Sequence, residues 1–299
     1  MQGSLVQPIQ GVELSAIIWD PDRNFFVIPY IKHPVTWYGL LFAFGFIVGY
    51  FLMRSIFAKL LADGAKSTAE IKLSAVNLTD RLAFLVVILT IVGSRLGHVF
   101  FYSWSHYKHN LFDIFKVWEG GLASHGGAVG IFLALAIFWL WHQNDYPRLT
   151  FLTILDSIVI PAAFIGGCIR IGNFMNQEII GTPTHLPWGV IFLHPHGGRA
   201  GIPVHPVQIY ESLFYFLVFL ALVALWRGKG KILGKGLLTG TFFLAVFGFR
   251  FLIEFLKVPQ SEFISSDSIL TMGQWLSIPF ILFGISVLVG YFLTFRRVC

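Results

Sequence analysis

The stretch "GGCIRIGNFMNQEIIG", Gly166–Gly181, follows the apolar run "FLTILDSIVIPAAF" at residues 151–164, with only Ile165 between them. A bilayer is crossed by about 20 consecutive, mostly apolar residues. The two pieces therefore read as one membrane-spanning helix over roughly 150–174, with a polar end. That end carries Arg170, Asn173, Asn176, Gln177 and Glu178. An anchor alone has no use for so many hydrogen-bonding groups at the edge of hydrocarbon.

The rest of the chain has the same character. Of 299 residues, 56% are hydrophobic and only 12% charged, and the mean hydropathy is +0.74. Soluble domains carry about 25% charged residues, so the solvent for most of this surface is lipid and the chain is an integral membrane protein. The net charge of +6 is accounted for by basic residues flanking spans on the cytoplasmic side; no nucleic-acid partner is expected. Cys168 and Cys299, the only cysteines, make neither a metal spacing nor a disulfide framework, and Cys168 reads as a small packing residue. Met1 to Pro34 mixes polar and apolar residues and includes Glu13, Asp20 and Asp22. No cleavable signal peptide is expected there, and insertion would depend on the first true span.

Seven spans follow from length and apolarity, at about 35–54, 82–103, 124–142, 150–174, 207–226, 236–257 and 272–295. Their unbroken apolar runs suit helices; barrel strands would alternate over about ten residues. The expected fold is an all-α, polytopic membrane protein of seven transmembrane helices. Twelve lysines and arginines lie on one side of these spans, from Arg54 to Arg81, at Arg148, from Arg227 to Lys235, and at Arg296 and Arg297. Five lie on the other: Arg23, Lys32, Lys108, Lys116 and Arg199. The excess marks the cytoplasm, which puts the N-terminus outside and the C-terminus inside. No repeat of 20–50 residues is visible, so residues 1–299 read as one transmembrane domain. It would have an extracytoplasmic N-terminal segment at 1–34 and a small extracytoplasmic head of loops around 176–206.

On that topology the unusual polar groups gather toward the outer face. Arg95, Arg170 and Arg250 lie in or near the outer ends of spans. An arginine at the bilayer centre costs about 2.5–3.5 kcal/mol on insertion scales. Snorkelling to headgroups competes, for each, with binding an anionic group through the guanidinium fork. Arg250 and Glu254 are four apart on one helix face, as an internal ion pair or as ligand contacts. Arg170 and Asn173 are three apart on another. His125, in "GGLASHGGAVG", is flanked by glycine pairs. It is either a satisfied structural residue or an accessible general base, with an unperturbed pKa near 6.5. In "VHPVQIYE" (204–211) His205, Gln208, Tyr210 and Glu211 reach the start of the fifth span, where Glu211 also suits the helix dipole. Tyr38 is a belt aromatic beside Trp37 or a ligand contact. H-E-x-x-H, G-x-S-x-G and P-loop motifs are absent from the sequence, so no metal, nucleotide or other cofactor is expected. The inventory suits acid–base handling of an anionic lipid. The alternative is a transporter or flippase for an anionic lipid or phosphate compound, which would favour paired half-helices and internal symmetry.

These motifs resemble the bacterial prolipoprotein diacylglyceryl transferases, from "TWYGL" at 36–40 through "GSRLG", "VWEGGLASHGG", "RIGNFMNQEIIG", "HPVQIYE" and "FRFLIEF" to "MGQWLSIP" at 272–279. The resemblance implies transfer of the diacylglyceryl group of phosphatidylglycerol to the thiol of the lipobox cysteine of a preprolipoprotein. That reaction takes place in the bacterial cytoplasmic (inner) membrane, with the active site toward the outer face. The family's signature arginine matches Arg170, with Asn173, Glu178 and Gly181 in the same block, and it is tied to phosphatidylglycerol binding. Its essential histidine matches His125, and its late arginine and glutamate match Arg250 and Glu254. Tyr38 and His205 match the early tyrosine and the His-Pro histidine. Three positions depart from the pattern: Phe247 replaces a tyrosine, Thr36 often a histidine, and His98 commonly a tyrosine.

Overall fold

The computed structural model describes residues 16–30, 32–62, 67–198, 200–228, 232–258 and 269–296. Glu13, Lys66, Arg199, Lys229, Lys231, Arg297 and Cys299, used above, lie outside the described residues. In chain order the elements are strands β1 (Ile17–Trp19), β2 (Asn24–Ile28) and β3 (His33–Thr36), helices α1 (Trp37–Leu61), α2 (Thr68–Tyr102), the four-residue α3 (Trp104–Tyr107), α4 (Ser124–His142) and α5 (Phe151–Met175), strands β4 (Val190–Phe192) and β5 (Pro203–Val204), and helices α6 (Val207–Gly228), α7 (Leu237–Ile253) and α8 (Met272–Arg296). A 3-10 turn, Glu254–Leu256, extends α7. Among the described residues seven helices are long and apolar enough to cross a membrane, and their positions match the seven expected spans.

Two differences have local causes. Helix α2 starts at Thr68, not near residue 82. Lys72, Asp80 and Arg81 keep its first turns out of a hydropathy window, but Ser67 and Glu70 close a capping box that supplies the orphan N–H groups of a helix start. Among the described residues, the segments read as loops also contain five strands of two to five residues, too short to show an alternating pattern.

The chain forms two compact units. One comprises the described parts of Met1–Gly49, Val159–Gly230 and Leu237–Cys299; the other comprises those of Tyr50–Ile158 and Lys231–Gly236. In the first, β1 runs parallel to β4 with Ile17 opposite Val190, and β4 runs antiparallel to β5. Beneath this sheet, Phe174, Ile180, Val190, Phe192 and Val204 form a buried core, joined by Trp19. The Trp19 indole donates to Phe174 O at 3.2 Å. This apolar plug anchors the end of α5.

In the second unit α2 and α4 approach to backbone contact. A Cβ on Gly126 would run into the Gly93 carbonyl and stand 3.0 Å from Gly97 Cα. Small residues let membrane helices come this close, and van der Waals packing is the gain. At the end of α2 the buried Arg95 neither snorkels nor awaits a ligand. It donates from Nε to Ile114 O (2.9 Å), from Nη1 to Gly120 O (2.6 Å) and from Nη2 to Asp113 O (2.6 Å), while its guanidinium lies 5.1 Å from the Tyr107 ring centroid. Five fixed donors make arginine suited to gathering carbonyls, and here they hold the 113–121 connection to α2.

Candidate functional site

The site in the first unit grows from the way α5 ends. Gln177 and Ile179 adopt left-handed backbone, with φ of +55° and +59°, which turns the chain sharply after Met175. Non-glycine residues hold such angles only where neighbours fix them. Here the Gln177 side chain accepts the His194 N–H at 2.7 Å, and Gln208 of α6 donates to Glu178 O at 2.8 Å. The turn directs the Glu178 carboxylate back to Asn173, whose Nδ2 donates to it at 2.8 Å. Asn173 Oδ1 in turn accepts from Arg170 Nη1 at 3.1 Å. Arginine, asparagine and glutamate thus form one hydrogen-bonded line along the helix end.

Arg170 is 9% exposed, so its charge needs a partner inside the protein. That partner is Glu211 of α6, fully buried, with Oε2 at 3.1 Å from Arg170 Nε. The contact is an ion pair without aligned hydrogen-bond geometry, because Glu211 Oε2 has no hydrogen-bond partner. Glu211 Oε1 accepts from Lys257 Nζ at 3.0 Å and from the Tyr215 hydroxyl at 3.4 Å. Lys257 also lies 3.5 Å from Glu254 Oε2. Burial pulls the Lys257 ammonium below the usual lysine range, and Glu211 pulls it back upward.

An Arg250–Glu254 ion pair, one of the two readings of their spacing, is not among the ion pairs of the described residues; Glu254 pairs with Lys257 instead. The reason is local: α7 ends at Ile253 and Glu254 opens a 3-10 turn, where residues three apart align, not four. Tyr38 packs on Gly172, where a Cβ would stand 2.7 Å from Tyr38 Cδ2. Gly181 bridges to Lys257 and lies against His205, whose ring faces the Tyr210 hydroxyl at 3.4 Å. Of the departures, Phe247 is stacked on Phe280 at 4.3 Å, a place for a ring. Thr36 Oγ1 accepts from Gly39 N at 3.1 Å and caps α1. His98 is 3.2 Å from Ser103 Oγ.

The structure therefore brings Tyr38, Arg170, Asn173, Glu178, Gly181, His205, Arg250 and Glu254 into one unit. His125 belongs to the other. It is exposed as the second residue of α4, and among the described residues it makes no side-chain hydrogen bond. Sequence reasoning missed Lys257 and Tyr215 and took Glu211 for a helix-dipole residue. The available signal was a carboxylate one turn inside a membrane-spanning helix, which demands a cation. Among the described residues no group of three or more His, Cys, Asp or Glu side chains is placed to hold a metal ion. Chemically, the cluster can hold and orient an anionic, hydroxyl-bearing group at the end of a membrane helix.

Comparison with known proteins agrees with that chemistry. The profile of the prolipoprotein diacylglyceryl transferase family matches residues 26–290. A phosphatidylglycerol–prolipoprotein diacylglyceryl transferase of Tolumonas auensis is 42% identical, over 84% of this chain and 89% of its own length. The same enzyme of Protochlamydia amoebophila is 37% identical over 91% and 94%, and that of Chlamydia pneumoniae 39% over 95% and 98%. A profile spanning nearly the whole membrane region and relatives matched almost end to end lead to one conclusion: the chain belongs to the prolipoprotein diacylglyceryl transferase family.

Proposed function

We propose that this protein transfers the diacylglyceryl group of phosphatidylglycerol to the lipobox cysteine of preprolipoproteins, at the outer face of the bacterial cytoplasmic membrane. The cysteine sulfur attacks the glyceryl carbon that bears the phosphate ester. A C–S bond forms, the C–O bond breaks, and glycerol phosphate leaves with the electron pair. The observation that carries the reading is the buried Arg170 held by Asn173 and Glu211 at the end of a membrane-spanning helix. A positioned guanidinium stabilises charge on a departing phosphate. Arg250 serves as the second cation, and Glu254, Asn173 and Glu178 orient the cations and the headgroup hydroxyls. Tyr38, Gly181 and His205 line the headgroup position. His125 takes the thiol proton, because a thiol of pKa near 8.5 must ionise to be a good nucleophile. The distribution of lysine and arginine supports the orientation, with the N-terminus outside.

The test is the mass of a lipobox peptide after incubation with the enzyme in phosphatidylglycerol vesicles. The wild-type protein should add one diacylglyceryl mass. Arg170→Ala should lower turnover by about 10²-fold or more, the scale of removing one positioned stabilising donor. An unmodified peptide, or near-normal turnover by Arg170→Ala, would sink the reading or the role of Arg170, respectively.

A further inference from the structure

We infer that Glu211 is a positioning residue for this transfer: its buried carboxylate orients the Arg170 guanidinium, and Lys257 is the second cation that balances it. The inference rests on the function proposed above and adds a residue to it.

Three observations converge. Glu211 is 0% exposed one turn inside a membrane-spanning helix, beside the buried Gln208, Ser212 and Tyr215, where an uncompensated carboxylate is costly. Its neighbours come from separate parts of the chain: Arg170 from the end of α5 and Lys257 from beyond the turn that closes α7. Arg170 is held from two directions, by Glu211 at Nε and by Asn173 at Nη1. The Asn173 hydrogen bond sets the direction of one Nη, and the Glu211 charge draws the Nε edge toward another helix; together they restrict the guanidinium more than either does alone.

Glu211 also works against simple attraction. A carboxylate beside an anion site weakens the pull on a phosphate, so its contribution lies in geometry. Charge neutralisation alone predicts something else, because removing Glu211 and Lys257 together keeps the balance equally well. The two roles are therefore separable.

The experiment compares Glu211→Gln, Lys257→Met and the double variant by kcat and KM for phosphatidylglycerol, per mole of folded enzyme judged by gel filtration in detergent. Glu211→Gln leaves Lys257 without its nearer carboxylate and can fail to fold; the double variant removes both charges and keeps the question answerable. In the double variant kcat should fall by about 10²-fold, the scale of an ångström of misplacement. Its KM should stay within about threefold, since ground-state attraction for the lipid is unchanged. Lys257→Met, in which Glu211 still holds Arg170, should keep kcat within about tenfold. A double variant with undiminished kcat, or one whose only defect is a lower yield of folded protein, would overturn the positioning role. Absence of transfer by the wild-type protein would remove the reaction itself.

Discussion

Substituting Gly181 by alanine tests how tightly the site is built. Gly181 forms an antiparallel bridge with Lys257. The next residue, Thr182, donates to Leu256 O at 2.8 Å and accepts from His205 N at 3.0 Å. The φ of Gly181 is not among the positive values, so alanine fits the backbone and only space opposes it. A Cβ there would fall on the His205 carbonyl oxygen, 2.7 Å from His205 Cβ and 3.0 Å from Leu256 O. Two of these are backbone atoms, which cannot swing aside as a side-chain tip does. The 203–205 segment must move outward by roughly 1 Å to restore ordinary contact. Overpacking of this kind costs about 1–3 kcal/mol, and stretching the His205–Thr182 hydrogen bond adds about 1 kcal/mol. A loss of about 2–4 kcal/mol lowers the midpoint by roughly 4–16 °C. The same shift disturbs the turn that carries Glu178, so kcat should fall by about 10²-fold. Thermal unfolding in detergent, followed by tryptophan fluorescence, gives the first quantity, and lipobox-peptide transfer the second. Gly248, whose Cβ would meet open space, is the control: alanine in that helix should be neutral or stabilising by about 0.5–1 kcal/mol. A Gly181→Ala enzyme with both an unshifted midpoint and normal turnover would refute the packing argument.

Two further outcomes follow from the second unit. Arg95→Lys should loosen the 113–121 connection, because an ammonium cannot reproduce the fork that gathers the Asp113, Ile114 and Gly120 carbonyls. Amide exchange there should accelerate on the order of 10²-fold, corresponding to about 3 kcal/mol of lost local protection, and unaltered exchange would count against the clamp. His125→Gln should leave stability within about 0.5 kcal/mol, since the side chain is exposed. Transfer should drop by about 10²–10⁴-fold with phosphatidylglycerol binding retained; loss of lipid binding too would contradict the general-base role.

Several polar residues were legible as unusual without being legible as partners. Arg95, Arg170 and Arg250 look alike in the sequence, each near the end of an apolar run. In the structure Arg95 binds carbonyls of a neighbouring connection, whereas Arg170 faces a glutamate on another helix. Spacing allowed Glu254 to pair with Arg250 or to meet a ligand; the 3-10 turn at the end of α7 sets it beside Lys257. Spacing arguments hold only while a helix keeps its pitch, and helix ends are where pitch changes.

By itself the sequence determined the seven spans, because a run of about 20 apolar residues is a property of the chain in one dimension. It also marked the Gly166–Gly181 block as the polar end of a span and carried enough ordered motifs to suggest the family. Only the tertiary structure decided that Glu211 and Lys257, 46 residues apart, share a buried contact beside Arg170. The physical reason is that a charge in a low-dielectric interior must find its counter-charge, and which one lies within reach depends on how the helices pack.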